Sequence, residues 1–236
     1  EIPNPQADLF WSSEFAQMLL LKEKGALTFA NPAQVSAIPP AYRDPQSQWF
    51  GFAGRARVIL VNTQFVSEDQ YPKSYADLLD SRFPAEKIGI ANPLFGTTSN
   101  EAAALYAWLG PESARDFYSR LRSRGVQVLD GNSVVRDQVA SGQLWYGLTD
   151  TDDACGAVAN GAPVRLIFPE QGAGQPGTLI IPNTIGIIKD GPNPEAAARL
   201  LDYLLSPAVE QMLADADFTH ISILSNTPTT GCLGQQ

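Results

Sequence analysis

Two long apolar runs set the frame of this chain. Trp49 to Asn62 (WFGFAGRARVILVN) and Thr178 to Lys189 are its two longest strand-like stretches. Val58-Ile-Leu-Val61 contains no polar position, as a strand covered on both faces requires. Between the runs lies a full series of shorter strand and helix signals, enough for a core of its own. A chain that leaves one half, builds another and returns must cross twice, and these runs, at about 55–62 and 178–188, are the crossing segments. The division predicted is residues 1–57 with 186–236 as lobe 1 and residues 58–185 as lobe 2.

The shorter signals repeat in the order strand, turn, helix. Strands are predicted at 6–11, 88–91, 126–128, 144–148 and 164–168. Helices are predicted at about 13–24, capped by Ser12 or Ser13 and stopped by Gly25, and at 75–80. Others run from the turn at 96–100 to Ala107, from Pro111 to Arg124 ahead of Gly125, and from Gly131 to near Gly142. Three more follow, after Asp153, at 194–205 and at 207–214. The alternation predicts an α/β fold with largely parallel strands. Residues 31–48, rich in Pro and Gln, are predicted to be irregular, and the tail from Thr219 to fray.

Composition excludes several classes. Hydrophobic residues make up 44% and charged residues 17% of the 236 positions, a globular balance. The net charge of −9, with 16 scattered Lys and Arg, excludes an ordinary nucleic-acid binder. No uninterrupted apolar run, Met18 to Leu21 included, approaches the length needed to span a membrane. The chain opens at Glu1 without a methionine, which implies a removed leader or a start inside a longer gene product. Cys155 and Cys232 are the only cysteines. They lack metal-site spacing and are either one disulfide or two buried thiols.

Four turns that follow strands carry candidate chemistry, because ligands of open α/β sheets bind beyond the strands' carboxyl ends. Gly96-Thr97-Thr98-Ser99 offers hydroxyls and free helix-start N–H groups to an anion, or Thr97 or Thr98 simply caps the helix. Asn132 in Gly131-Asn132-Ser133 either donates its amide to an oxyanion or caps its helix. Thr149-Asp150-Thr151-Asp152-Asp153 holds three carboxylates where one cap needs one, and the surplus suits a cation, a metal or an amine. Trp11-Ser12-Ser13-Glu14 closes the first strand, with Glu14 reaching a ligand or lying in solvent. Catalytic signals are poor. The single histidine, His220, sits in an apolar run typical of a core or edge position, and no nucleophile elbow or Cys-His pattern is present.

Taken together, the motifs resemble the iron(III)-binding periplasmic proteins. Ala7-Asp-Leu-Phe-Trp-Ser-Ser13, Gly51-Phe-Ala-Gly-Arg-Ala-Arg-Val-Ile-Leu-Val-Asn62, Gly131-Asn-Ser-Val-Val, Gly177-Thr-Leu-Ile-Ile-Pro and Leu201-Asp-Tyr-Leu-Leu-Ser-Pro207 occur in that family's order over nearly the whole chain. The resemblance implies a class II periplasmic-binding fold: two α/β lobes, two crossing strands, an interlobe cleft for the ligand, and hinge closure. It implies the binding component of an ABC importer, outside the cytoplasm, monomeric, and partnered by a membrane permease.

The departures from that family are specific. Where typical ferric binders carry two adjacent iron-ligating tyrosines, this chain has Thr151 and Asp152. The early glutamate ligand falls near Ser13, with Glu14 beside it. Gly96, Thr97, Thr98 and Asn132 match the family's anion pocket. About one strand-helix-strand unit of lobe 1, with a histidine ligand, is missing before Glu1.

The ligand expected is therefore a small charged solute, a phosphonate or phosphate-type anion with or without an amine. The candidate ligand residues are Ser12, Ser13, Glu14, Gly96, Thr97, Thr98, Asn132, Asp150, Thr151 and Asp152. The chain is expected to be no enzyme and to hold no cofactor. The alternatives are a ferric or other metal ion with a synergistic anion, using Asp152 and Glu14, and, in another class, a metal-assisted hydrolase.

Overall fold

The computed structural model describes residues 4–215, 221–224 and 232–233. In chain order the elements are β1 (Leu9–Ser12), α1 (Ala16–Glu23), β2 (Phe50–Asn62), β3 (Ile88–Ala91), α2 (Gly96–Leu109), α3 (Pro111–Arg124) and β4 (Gln127–Leu129). They continue with α4 (Asn132–Ala140), β5 (Tyr146–Asp150), α5 (Thr151–Ala159), β6 (Val164–Ile167), β7 (Ile180–Ile187), α6 (Pro194–Leu204) and α7 (Pro207–Asp215). The stretch predicted as a helix at 75–80 is a 3-10 turn over Tyr75–Leu79, held by a reciprocal Ser74–Asp77 capping box.

The chain divides into two compact units. Unit 1 takes the chain up to Arg55 and from Ile181 onward; unit 2 takes Ala56–Ile180. The chain enters unit 2 within β2 and leaves it at the start of β7.

In unit 2, β2 runs antiparallel to β5 and to β6, while β3 runs parallel to β4 and β5. The expectation of largely parallel strands is corrected on this point: the sheet is mixed. Helix-containing connections join β3 to β4, β4 to β5 and β5 to β6, the ordinary parallel arrangement. β2 lies between β5 and β6 and runs against both. The core gathers Ile59, Val61, Ile88, Tyr146 and Leu148 of the sheet with Phe117 and Leu121 of α3. Each aliphatic side chain buried in this way contributes roughly 1.5–3 kcal/mol. α3 has the predicted start and stop, Pro111 in its first turn and a left-handed Gly125 at its C-cap.

Gly89 of β3 stands opposite Gly147 of β5. A Cβ on Gly147 would lie 2.6 Å from Val135 Cγ1 and 2.6 Å from the Gly89 carbonyl oxygen. The missing side chain lets α4 come down onto β5, and that approach positions the first residue of α4 for the site below.

In unit 1, β1 pairs antiparallel with β7, from Leu9↔Ile187 to Ser12↔Thr184. Phe50, Phe52, Ile185, Leu201 and Leu205 form its core. β1 starts later than predicted and α1 begins at Ala16 behind Phe15, which provides no side-chain cap. The Ser12 or Ser13 cap is therefore corrected: Ser12 Oγ accepts the Glu14 N–H at 3.3 Å, a turn within the strand end. Neither Cys155 nor Cys232 is a free thiol. No helix among the described residues is long and apolar enough to cross a membrane. His220 and the start of the tail at Thr219 lie outside the described residues.

Candidate functional site

β3, β4 and β5 end side by side in unit 2, and α2, α4 and α5 begin just beyond them. None of the three helices has a side-chain cap from its N-cap residue, which is Phe95, Gly131 and Asp150 respectively. Three helix starts with open first-turn N–H groups therefore belong to one end of one sheet.

Their side chains meet in a buried network. Asp150 Oδ2 accepts from the Thr97 hydroxyl at 2.5 Å and from Asn132 Nδ2 at 2.8 Å. Asp150 Oδ1 accepts from Arg57 Nη1 at 2.6 Å. The same Nη1 donates to Asn132 Oδ1 at 3.0 Å, which turns the Asn132 amide so that its Nδ2 faces Thr97 and Asp150. Arg57 Nη2 donates to Glu101 Oε2 at 2.9 Å, and the Tyr75 hydroxyl donates to Glu101 Oε1 at 3.0 Å. Thr149 Oγ1 donates to the Asn132 carbonyl at 3.2 Å.

Arg57 has no exposed surface. Burial works against its charge, but Glu101 and Asp150 outweigh burial and hold the guanidinium above its ordinary range. Burial, and then the Glu101 charge, push the Tyr75 hydroxyl up. Such a cluster holds together because each charge has a hydrogen-bonded partner; breaking one side of it is costly.

The acidic turn adds further charge. The carboxylates of Asp150, Asp152 and Asp153 lie within 4.8 Å of one another. Arg136 Nη1 meets Asp153 at 3.2 Å and its Nε also meets Asp137. Burial, then Asp152 and Asp150, nevertheless raise the Asp153 carboxyl to about 6. Hard oxygen donors grouped in this way are what a metal ion or an ammonium group takes.

Of the residues singled out in sequence, Thr97, Asn132 and Asp150 are brought into direct contact. Thr97 does not cap α2; its hydroxyl is committed to Asp150. Thr98 donates to the Phe95 carbonyl at 3.2 Å. Gly96 is left-handed, with open space where a Cβ would be. The Thr151 hydroxyl accepts the buried Ala56 N–H at 3.2 Å. Asp152 stands in the acidic cluster. Ser12, Ser13 and Glu14 belong to unit 1. There the Ser13 carbonyl accepts from Arg55 Nη2 at 2.7 Å, and the Glu14 carbonyl accepts from the Thr184 hydroxyl at 2.5 Å.

Sequence reasoning missed Arg57, Glu101 and Tyr75. One signal was available: an arginine directly before the apolar run Val58–Val61, in a strand buried at every position but Arg55, must find a carboxylate.

A family model described as bacterial extracellular solute-binding protein matches residues 4–230. Iron uptake protein A1 of Synechocystis is 26% identical over 95% of this chain and 64% of its own length. A putative 2-aminoethylphosphonate-binding periplasmic protein of Salmonella typhi is 22% identical over 91% of this chain and 62% of its own. The chain thus spans under two thirds of the length of these curated relatives. Among solved structures, iron-bound HitA of Pseudomonas aeruginosa superposes with a TM-score of 0.84 at 21% identity, covering 96% of this chain and 72% of that one. AfuA of Actinobacillus pleuropneumoniae, solved with fructose-6-phosphate, gives 0.80 at 20% identity over 96% and 72%. The fold is that of the two-lobed periplasmic binding proteins, and the chain belongs to the bacterial extracellular solute-binding protein family.

Proposed function

We propose that the chain captures a small solute carrying both an oxyanion and a cationic centre, as the binding component of an ABC importer that hands the solute to a membrane permease. The grouping of the Asp150, Asp152 and Asp153 carboxylates within 4.8 Å of one another, with Asp153 held at about 6, is the observation that carries this reading. An ammonium group beside Asp152 and Asp153 relieves that repulsion. The uncapped first turn of α2, opened by Gly96, takes the oxyanion on backbone N–H groups. The Thr97 hydroxyl and Asn132 amide are already committed to Asp150, so the backbone does this work. A phosphonate or phosphate ester with an amine meets both requirements; one similar protein is named for 2-aminoethylphosphonate, and another was solved with fructose-6-phosphate, which supplies the oxyanion alone.

A second reading rests on the same carboxylates: a ferric or other hard metal ion held by them with an anion, as the name of the Synechocystis relative suggests. Thr151 and Asp152 at the family's tyrosine positions then require an iron complex without the phenolate charge-transfer colour. Calorimetry of the chain with 2-aminoethylphosphonate, inorganic phosphate and ferric citrate separates the two. The first reading expects the aminophosphonate to bind tightest; ferric citrate binding alone replaces it with the second. Asp152→Ala is expected to weaken the aminophosphonate by ~1.5–3 kcal/mol, the loss of one charge-assisted contact. Unchanged affinity removes Asp152 from the site.

A further inference from the structure

Asp150 stands where three helix starts meet, and three protein donors already converge on its carboxylate. Its partners come from three different elements: Arg57 from β2, Thr97 from α2 and Asn132 from α4. A guanidinium, a hydroxyl and a primary amide, all aimed at one pair of oxygens, are the donor set with which proteins grip a bound oxyanion. Here the oxyanion is part of the chain. It is buried, with 3% of its surface exposed, and Arg57 behind it is fully enclosed. Arg57 Nε has no hydrogen-bond partner, so the guanidinium is not saturated by the carboxylates it faces.

We propose that Asp150 is a built-in anion that determines the charge of the solute. Its carboxylate fills the oxyanion position formed by Thr97, Asn132 and Arg57, closes that position to a solute's own anion, and adds one negative charge to the side where Asp152 and Asp153 receive a cation. The filled position is a property of the chain alone; the effect on solute charge rests on the function proposed above.

Asp150→Ala empties the position and leaves Glu101 as the one carboxylate that Arg57 is seen to pair with. A small carboxylate supplied from solution then takes the vacated place. Sodium formate is expected to raise the melting temperature of Asp150→Ala by about 3 °C or more over the same concentration of formamide, and to leave the wild-type chain and Asp150→Asn unmoved. Asp150→Asn keeps the shape and fills the space, so it controls for general salt effects. An equal response to formate and formamide, or an equal response in Asp150→Asn, overturns the proposal. If Asp150→Ala has no cooperative melt in buffer, recovery of one in formate but not in formamide supports it, and recovery in neither overturns it.

The charge-setting half is read by calorimetry. Inorganic phosphate is expected to bind Asp150→Asn about tenfold more tightly than wild type, since one fixed like charge is removed from beside it. Equal or weaker binding overturns that half. A wild-type chain that takes neither 2-aminoethylphosphonate nor ferric citrate defeats the proposed function instead, and does so without touching the formate result.

Discussion

Each unit buries a carboxylate against β2, but the two carboxylates do different work. In unit 1, Glu210 of α7 is 1% exposed and accepts the Ala53 N–H at 2.9 Å. Ala53 is left-handed, with φ 45°, in the middle of a strand, and the Asn183 amide donates to its carbonyl at 2.6 Å. Burial raises the Glu210 pKa, while the Ala53 and Ile223 N–H groups and Ser222 pull against it. That carboxylate repairs an irregular backbone. In unit 2, Asp150 and Glu101 face a side-chain guanidinium, and the Asp152 and Asp153 carboxylates stand within 4.8 Å of that of Asp150. A buried charge that satisfies a backbone gap is structural; carboxylates grouped at the ends of parallel strands leave something for a ligand to do.

The largest expected effect tests the unit 2 side of this comparison. Arg57→Met leaves Asp150 and Glu101 buried without their cation and is expected to cost about 3–5 kcal/mol in urea unfolding. Adding Asp150→Asn and Glu101→Gln to it should recover most of the loss, because the neutral groups no longer need a charge. A cost below about 1 kcal/mol for Arg57→Met would mean the network holds little, judged against ordinary buried pairs. In unit 1, Glu210→Ala orphans one buried N–H and should cost about 1–3 kcal/mol, with Glu210→Gln milder because an acceptor remains.

Much of this was legible in the sequence, and the parts that were not share a cause. The all-buried run before Asn62, the Pro111 and Gly125 punctuation of α3 and the family resemblance all rest on local pattern. So does the grouping of Gly96, Asn132 and the acidic turn at helix starts. Strand direction depended on which strand enters between β5 and β6, and no local signal reports that. A threonine at a helix start suits either a cap or an anion contact, and the Thr97 hydroxyl turns instead to Asp150, 53 positions away. Ser12 and Ser13 failed as caps because β1 runs on to Ser12. Arg57 was passed over as one letter in an apolar strand, although its charge in that company announced a buried partner.

Asp153 supplies a smaller, pH-dependent test. Its folded carboxyl sits near 6 against an ordinary 3.8, so the folded chain binds more protons than the unfolded one between those values. Its contribution to stability is greatest below about 3.8 and is lost as pH rises through about 6. Binding of a cationic solute has the opposite dependence: it favours ionised Asp153 and releases its proton. Affinity for 2-aminoethylphosphonate should rise about tenfold from pH 5 to pH 7 as the carboxyl ionises, and Asp153→Asn should flatten that rise. A slope unchanged in Asp153→Asn assigns the titration to another group.

The smallest effect comes from the same substitution made on both sides of the Arg55–Ala56 boundary in β2. Ala53 and Ala56 are both buried, at 0% and 1% exposure, but only Ala53 has a positive φ. Ala56→Gly loses a buried methyl, worth about 0.8 kcal/mol, and loosens the unfolded chain by about 0.5–1 kcal/mol, so it should cost about 1.5 kcal/mol. Ala53→Gly suffers the same two losses but is relieved of a left-handed alanine, worth about 1–2 kcal/mol. The terms nearly cancel, and Ala53→Gly should change stability by no more than about 0.5 kcal/mol. Equal costs at the two positions would show that the Glu210 and Asn183 contacts stabilise an unstrained backbone. A difference of the expected size would show that those side chains hold β2 in a conformation its own sequence resists.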